Sequence, residues 1–366
     1  MSQSSVSTGP RRAVRLAIAA VVAVALLAPA AYLFTRVWSH NTATLEFNRA
    51  ERRGVAYLGP LTSLLAAVTR AQSAAVNRDQ PDLAPIRAAV AAVDEADGRL
   101  GGQLRTTERW TAIRETVLDT TSRSWPDPAA AYRAYSDLAT TLLELTRKVG
   151  DVSKLVLDPQ LDAYYVMSAV LLRIPAVLVD SGRYLDLSVL SVGKDDQDSV
   201  ALLAAARNRI GTDSTDLCDG LITAFGATGS STLGPGVTRQ LDEFRTAVVT
   251  VAPSTSLLAP PPRRTPTALA TDQAALQRTT LALDRAALTE LDRLLAPREA
   301  AAARTRVLAV VAVSVVGLVV LGAALGFVLL LPGGAARSDP YGPRREDPVR
   351  SRDLVGTGPP GGARAR

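Results

Sequence analysis

The sequence predicts an all-α protein in which two transmembrane helices flank an elongated helical bundle held outside the cytoplasm. Three observations carry that expectation. Two long segments, Leu16–Phe34 and Val307–Leu331, contain no charged residue. Between them, apolar residues recur at steps of three and four, the period of one helix face. No alternating, β-branched stretch of useful length interrupts that pattern.

Each charge-free segment is near or above the roughly 20 apolar residues that cross a bilayer as a helix. In hydrocarbon every backbone N–H and C=O must be satisfied within the segment, so a helix is the form expected. Three arginines and no acid precede Leu16, and seven arginines against four acids follow Leu331. Those tails account for the whole formal charge of +6 and leave the middle neutral. Basic tails flanking two spans predict a multi-pass cell-membrane protein with both termini in the cytoplasm. Arg36, Arg298, Arg304 and Arg306 crowd the opposite ends of the spans, but a long intervening domain translocates largely regardless of its charge.

The first segment also fits a signal peptide. Arg11, Arg12 and Arg15 resemble an n-region, Leu16–Leu27 an h-region, and Ala28-Pro29-Ala30 a cleavage site. The apolar run continues to Phe34, which favours an uncleaved anchor, and both readings export the middle of the chain. The expected divisions are a cytoplasmic tail (1–15), a first span (16–34), an extracytoplasmic bundle (35–306), a second span (307–331) and a cytoplasmic tail (332–366). Gly, Pro and Arg dominate the last of these, which predicts disorder.

Within the bundle, residues 38–78 place Leu58, Leu61, Leu65, Val68 and Ala75 on one face, with Pro60 expected to bend or break the helix. Residues 82–123 read as a second helix weakened by Gly98, Gly101 and Gly102. A third, 127–156, has the clearest stripe: Tyr132, Tyr135, Leu138, Leu142, Leu145, Val149, Val152 and Val156. Asp127-Pro128 opens it with a capping carboxylate and a proline in the first turn. Asp158-Pro159 repeats the device for a fourth helix, with Pro175 as a kink. A fifth helix covers about 198–225 and a short one 238–251, between a Gly/Ser loop and a Pro-rich loop. From about Thr267 a long helix runs to the second span, with leucines seven apart at 269, 276 and 283 and at 281, 288 and 295.

The residues leave little room for catalysis, and neither a cofactor nor a metal ion is expected. His40 is the single histidine and has no Cys or carboxylate at ligand spacing. Cys218, the single cysteine, sits among Leu217, Leu221 and Ile222, so a packed thiol is expected in place of a nucleophile or a disulfide. The 226–236 loop lacks the Gly-Lys-Ser/Thr ending of a phosphate-binding loop. With a neutral middle, nucleic acid is not an expected partner.

The most informative stretch is Val149-Gly-Asp-Val-Ser-Lys-Leu-Val-Leu-Asp-Pro-Gln-Leu-Asp-Ala-Tyr-Tyr-Val-Met167. It resembles a string found in the long helical sensor modules of bacterial chemoreceptors (methyl-accepting chemotaxis proteins) and some sensor kinases. Glu51-Arg-Arg-Gly-Val-Ala-Tyr-Leu-Gly-Pro-Leu61 and Leu172-Arg-Ile-Pro175 are similar to two further segments of that family. The resemblance covers roughly 38–306 and implies signal transduction: a bundle that binds a small molecule and shifts its helices. Such receptors continue past the second span into output modules, which this sequence lacks, so a separate signalling partner chain and a homodimer are the partners implied, beside the lipid bilayer. Asp151, Asp158, Asp162, Tyr164, Tyr165 and Arg173 are the candidate ligand-binding residues, because carboxylates, tyrosines and an arginine converge near a helix corner. The same residues also fit a plain capped corner, with Asp158 as N-cap, Pro159 in the first turn and the tyrosines packed. On that reading the chain is a structural or protein-interaction component of the cell envelope with no small ligand.

Overall fold

The computed structural model describes residues 10–157, 160–194, 196–227, 235–253 and 265–329. Among these the regular structure is entirely helical. The helices are α1 (Pro10–Val76), α2 (Leu83–Leu104), α3 (Thr107–Ser122), α4 (Pro128–Val152), α5 (Leu161–Ser168), α6 (Ile174–Leu190), α7 (Gln197–Ala227), α8 (Pro235–Val251) and α9 (Pro266–Leu329). The chain divides into two compact units, Met1–Ala28 with Val316–Arg366, and Pro29–Val315. The tail expected to be disordered lies outside the described residues.

Within Pro29–Val315 the helices run up and down. Arg52 bonds Asp292 and Arg70 bonds Gln277, so α1 and α9 are antiparallel. Arg173 meets Asp213 while Asp180 meets Arg209, which orients α6 against α7 in the same way. Gln72 reaches Ser136, and a Cβ added to Gly54 would overlap Ser153, so α4 descends beside α1. Helix α6 runs parallel to α1, with Gly182 set against the Thr69 side chain so closely that no larger residue fits. Helix α1 thus touches α2, α4, α6 and α9. Its residues Leu58, Leu61, Leu64 and Leu65 are buried in one continuous core with Leu138, Leu142 and Leu145 of α4, Val177 and Leu178 of α6, and Leu276 and Leu283 of α9. Leu269, Leu288 and Leu295 are buried too.

Helix starts follow their capping residues. Asp127 accepts a 2.7 Å hydrogen bond from the Ala130 N–H, with Pro128 in the first turn. Asp82 caps α2 through the Ala84 N–H. Asp158 and Pro159 lie outside the described residues. Where the chain departs from expectation, the reasons are local. The single helix expected over 82–123 is two, because Arg105 adopts a left-handed conformation (φ 53°) after Gly101 and Gly102. The third helix ends at Val152, leaving Val156 exposed on a 3₁₀ turn, Leu155–Leu157. Pro60 does not end α1; Ala56, whose carbonyl loses its usual partner, is exposed. Pro175 is accommodated by a π-helical turn, Ala169–Arg173, in which the Ile174 N–H reaches back to the Ala169 carbonyl. A wide turn directly before a proline reassigns the bonds that its missing N–H would leave open.

Three described helices are long and apolar enough to cross a membrane, where the sequence reading has two. The most apolar windows of Ala20–Val76 and Pro266–Ala323 contain no buried residue, whereas the window within Ala163–Leu190 is 67% buried in the bundle. The third owes its hydropathy to packing in the core, and its Arg173, Asp180 and Arg183 make ion pairs at the edge of that packing.

Two carboxylates face α1 from within the core. Asp186 of α6 lies beside Ser73 and Gln72, and burial pushes its pKa up to about 7. Asp284 of α9 lies beside Thr62, and burial pushes its pKa up to about 8. Below pH 3.8 folded and unfolded chains both hold these protons. Between there and pH 7–8 only the folded chain does, so these groups make stability fall as pH rises and then level off. Asp284→Asn should therefore match the parent near pH 4 and exceed it at pH 8 by at least about 1 kcal/mol, the equivalent of one pKa unit. Thermal unfolding of the full chain at the two pH values measures this. Parallel profiles for parent and variant would mean that Asp284 is ionised in the fold.

Candidate functional site

Of the residues singled out in the sequence, Asp151, Tyr164, Tyr165 and Arg173 are described, and they make different contacts. Asp151 is exposed at the end of α4. Lys154 then turns left-handed (φ 64°), placing its ammonium 5.8 Å from the Phe47 ring. Tyr164 and Tyr165 meet edge to face at 5.4 Å. Tyr164 points outward at 46% exposure, and Tyr165 packs towards Gly220 of α7. A 100° step between neighbours on a helix requires such a division. Arg173 pairs with Asp213 at 2.8 Å and Asp216 at 2.9 Å, so its fork ties the π turn to α7. Asp158 and the Asp162 side chain lie outside the described residues.

Arginines without matching carboxylates gather elsewhere. A groove of about 470 Å³ opens between α4, α6 and α7. Helix α4 contributes Tyr132, Ser136 and Arg147; α6 contributes Asp180 and Arg183; α7 contributes Arg209. Arg183 is fixed by donating to the Ser136 carbonyl (3.2 Å) and the Thr140 hydroxyl (3.0 Å), and lies 3.5 Å from Asp180. Arg209 approaches Asp180 only at 3.9 Å and is largely exposed. Arg147 is exposed and forms no ion pair with another described residue. Burial raises the pKa of Asp180, opposed by Arg209 and Arg183. Burial likewise raises that of Tyr132, so its hydroxyl stays a hydrogen-bond donor. Three guanidinium groups against one carboxylate leave the groove positively charged. That is the chemistry of an anion site, since guanidinium presents paired N–H donors to carboxylate or phosphate oxygens.

No protein-family model, no curated protein and no solved structure matches this chain. The groove is therefore read from its own geometry. Asp180 and Arg183 were legible only as an (i, i+3) pair on a helix, and Tyr132 only as a stripe residue. Arg147 and Arg209 carried no signal, because they join the groove through helix pairing.

Two other cavities are better neutralised or more polar. Near Arg49, Arg52 and Arg53, the guanidinium groups are met by Asp292, Glu299 and Glu46 at 2.7–3.6 Å. At the α1–α2 and α3–α4 turns, about 450 Å³ is bordered by Arg123 and Trp125, with the guanidinium 5.8 Å from the indole centre. Among the described residues no group of three or more His, Cys, Asp or Glu is placed to hold a metal ion. Cys218 is buried among core residues, and burial pushes its thiol up to about 11, which leaves little thiolate at neutral pH.

Proposed function

We propose that this chain is a two-span membrane protein whose helical bundle, outside the cytoplasm, works as the input element of a sensor. Its ligand is a small anionic molecule taken in the groove between α4, α6 and α7. The observation that carries the reading is the surplus of arginine there: Arg147, Arg183 and Arg209 face a cavity of small-molecule size with Asp180 as the one carboxylate. Because the groove is built from three helices, an anion drawing the guanidinium groups together changes how they pack, and small helix shifts are a common means of signalling. The chemoreceptor-like strings in the sequence support the same class of function.

The binding test is a thermal-shift screen of the full chain in detergent against small mono- and polyanionic metabolites, since a ligand of the folded state raises stability by mass action. A hit is expected to lose at least about tenfold in affinity in Arg147→Gln/Arg209→Gln, because charge-assisted hydrogen bonds are the strong ones. Both side chains are exposed, so the fold should be unaffected. A panel without hits, or a variant that binds as tightly as the parent, refutes the groove as a site.

Anchoring is supported by the two charge-free segments, by tails that hold the whole net charge, and by the exposure of the apolar windows in α1 and α9. In a Cys218→Ser background, Val200→Cys should label with an impermeant thiol reagent in intact cells and Arg345→Cys should not. The reverse pattern overturns the topology.

A second reading has one observation in its favour. Val156, Leu157 and Tyr164 are exposed close together in the chain beside the α4–α5 corner, the kind of apolar patch that docks another protein. Concentration-dependent sedimentation that Leu157→Glu abolishes would favour that reading over a small ligand.

A further inference from the structure

We propose that the non-cytoplasmic boundary of the two spans is a binding surface for anionic phospholipid headgroups, with Arg36, Arg304 and Arg306 receiving phosphate oxygens and Trp38 setting the depth. The inference rests on the two-span reading above. It starts from a charge anomaly. Between Phe34 and Glu46 on α1, and between Glu299 and Leu329 on α9, every acidic or basic residue except His40 is an arginine: Arg36, Arg304 and Arg306. Positive charge at this end works against the usual orientation bias, so topology does not account for it.

Neighbouring carboxylates do not neutralise these arginines. Glu299 is held by Arg49 at 3.2 Å and Arg52 at 2.7 Å. Glu46 is held by Arg49 at 3.2 Å and lies 3.6 Å from Arg53. No ion pair joins Arg36, Arg304 or Arg306 to a carboxylate among the described residues, and Arg36 and Arg304 are exposed. Arg306 instead lies over the Trp38 ring, 4.1 Å from its centre, joining α9 to α1 by a cation–π contact. Trp38 in turn leans on Phe34, with ring centres 5.5 Å apart. An indole at the end of an apolar segment is the residue that settles at headgroup level. A guanidinium held over that indole keeps its N–H groups near the same level, where phosphate is the available acceptor. The missing counter-charge is then supplied by the lipid.

The full chain is reconstituted in phosphatidylcholine vesicles in which one-fifth of the lipid carries brominated acyl chains, either as phosphatidylglycerol or as phosphatidylcholine. Bromine quenches nearby indole, and the signal of Trp38 is the difference between the parent and Trp38→Phe. Brominated phosphatidylglycerol is expected to quench Trp38 more strongly, reporting local enrichment of about fivefold for each arginine engaged, the equivalent of about 1 kcal/mol near a charged surface. The excess should shrink in Arg304→Gln/Arg306→Gln and in about 1 M salt, where the screening length falls to about 3 Å. If the Arg306 variant loses its fold, Arg36→Gln/Arg304→Gln serves instead, because neither residue makes the stacking contact. Equal quenching by the two lipids overturns the headgroup site and leaves the two spans standing. Absence of quenching by either, in protein that floats with the vesicles, overturns both.

Discussion

Leu142→Ala is expected to destabilise the bundle by about 2–5 kcal/mol, the range for a leucine removed from a packed core. Helix α4 carries one unbroken stripe through Tyr135, Leu138, Leu142, Leu145 and Val149, all buried. Leu142 sits in its middle, 1% exposed, in the core that α4 shares with α1 and α6. Truncation removes apolar area from that contact and leaves a cavity that three helices must close on together. Relaxation into it is limited because α4 is pinned on both sides, by Arg109–Glu144 to α3 and by Arg183 to α6. Urea unfolding of the full chain in detergent, followed by helical circular dichroism, gives the difference. A loss below about 0.5 kcal/mol, typical of surface positions, would mean that the stripe faces outward.

The second large effect belongs to Asp97→Ala. One oxygen of this buried carboxylate accepts from the Tyr57 hydroxyl at 2.8 Å and from the Thr106 hydroxyl at 2.6 Å. Burial pushes the Tyr57 pKa up, so its hydroxyl remains protonated and donates. Both donors are fully buried, and each would lose its acceptor. A buried unsatisfied donor costs about 1–3 kcal/mol, so the pair predicts a loss of about 2–6 kcal/mol. Thr106 is also the first residue after the left-handed Arg105, and its N–H bonds the Gly101 carbonyl at 3.0 Å. The α2–α3 break should therefore loosen as well. Asp97→Asn keeps an acceptor oxygen and should lose roughly half as much. Equal losses for the two variants would show that the carboxylate's charge, and not its hydrogen bonds, stabilises the corner.

The helical class and several helix starts were legible in the chain, because both depend on local chemistry. A stripe at steps of three and four defines a buried face whatever packs on it, as Leu138, Leu142 and Leu145 show. Asp127 followed by Pro128 caps a helix through atoms three residues away. The heptad leucines 269, 276 and 283 are buried for the same reason. Which polar side chains meet depends on how the helices pair. Arg147, Asp180 and Arg209 belong to three helices and share a groove through the pairing of α4, α6 and α7. Arg173 was legible as a cation on a tyrosine-bearing helix, but its partners, Asp213 and Asp216, are set by how α6 lies against α7. Asp186 and Asp284 look like ordinary surface acids until α1 is placed beside them and water is excluded. Helix formation reads neighbours within one turn, whereas charge pairing and desolvation are fixed by contacts tens to hundreds of residues apart in the chain.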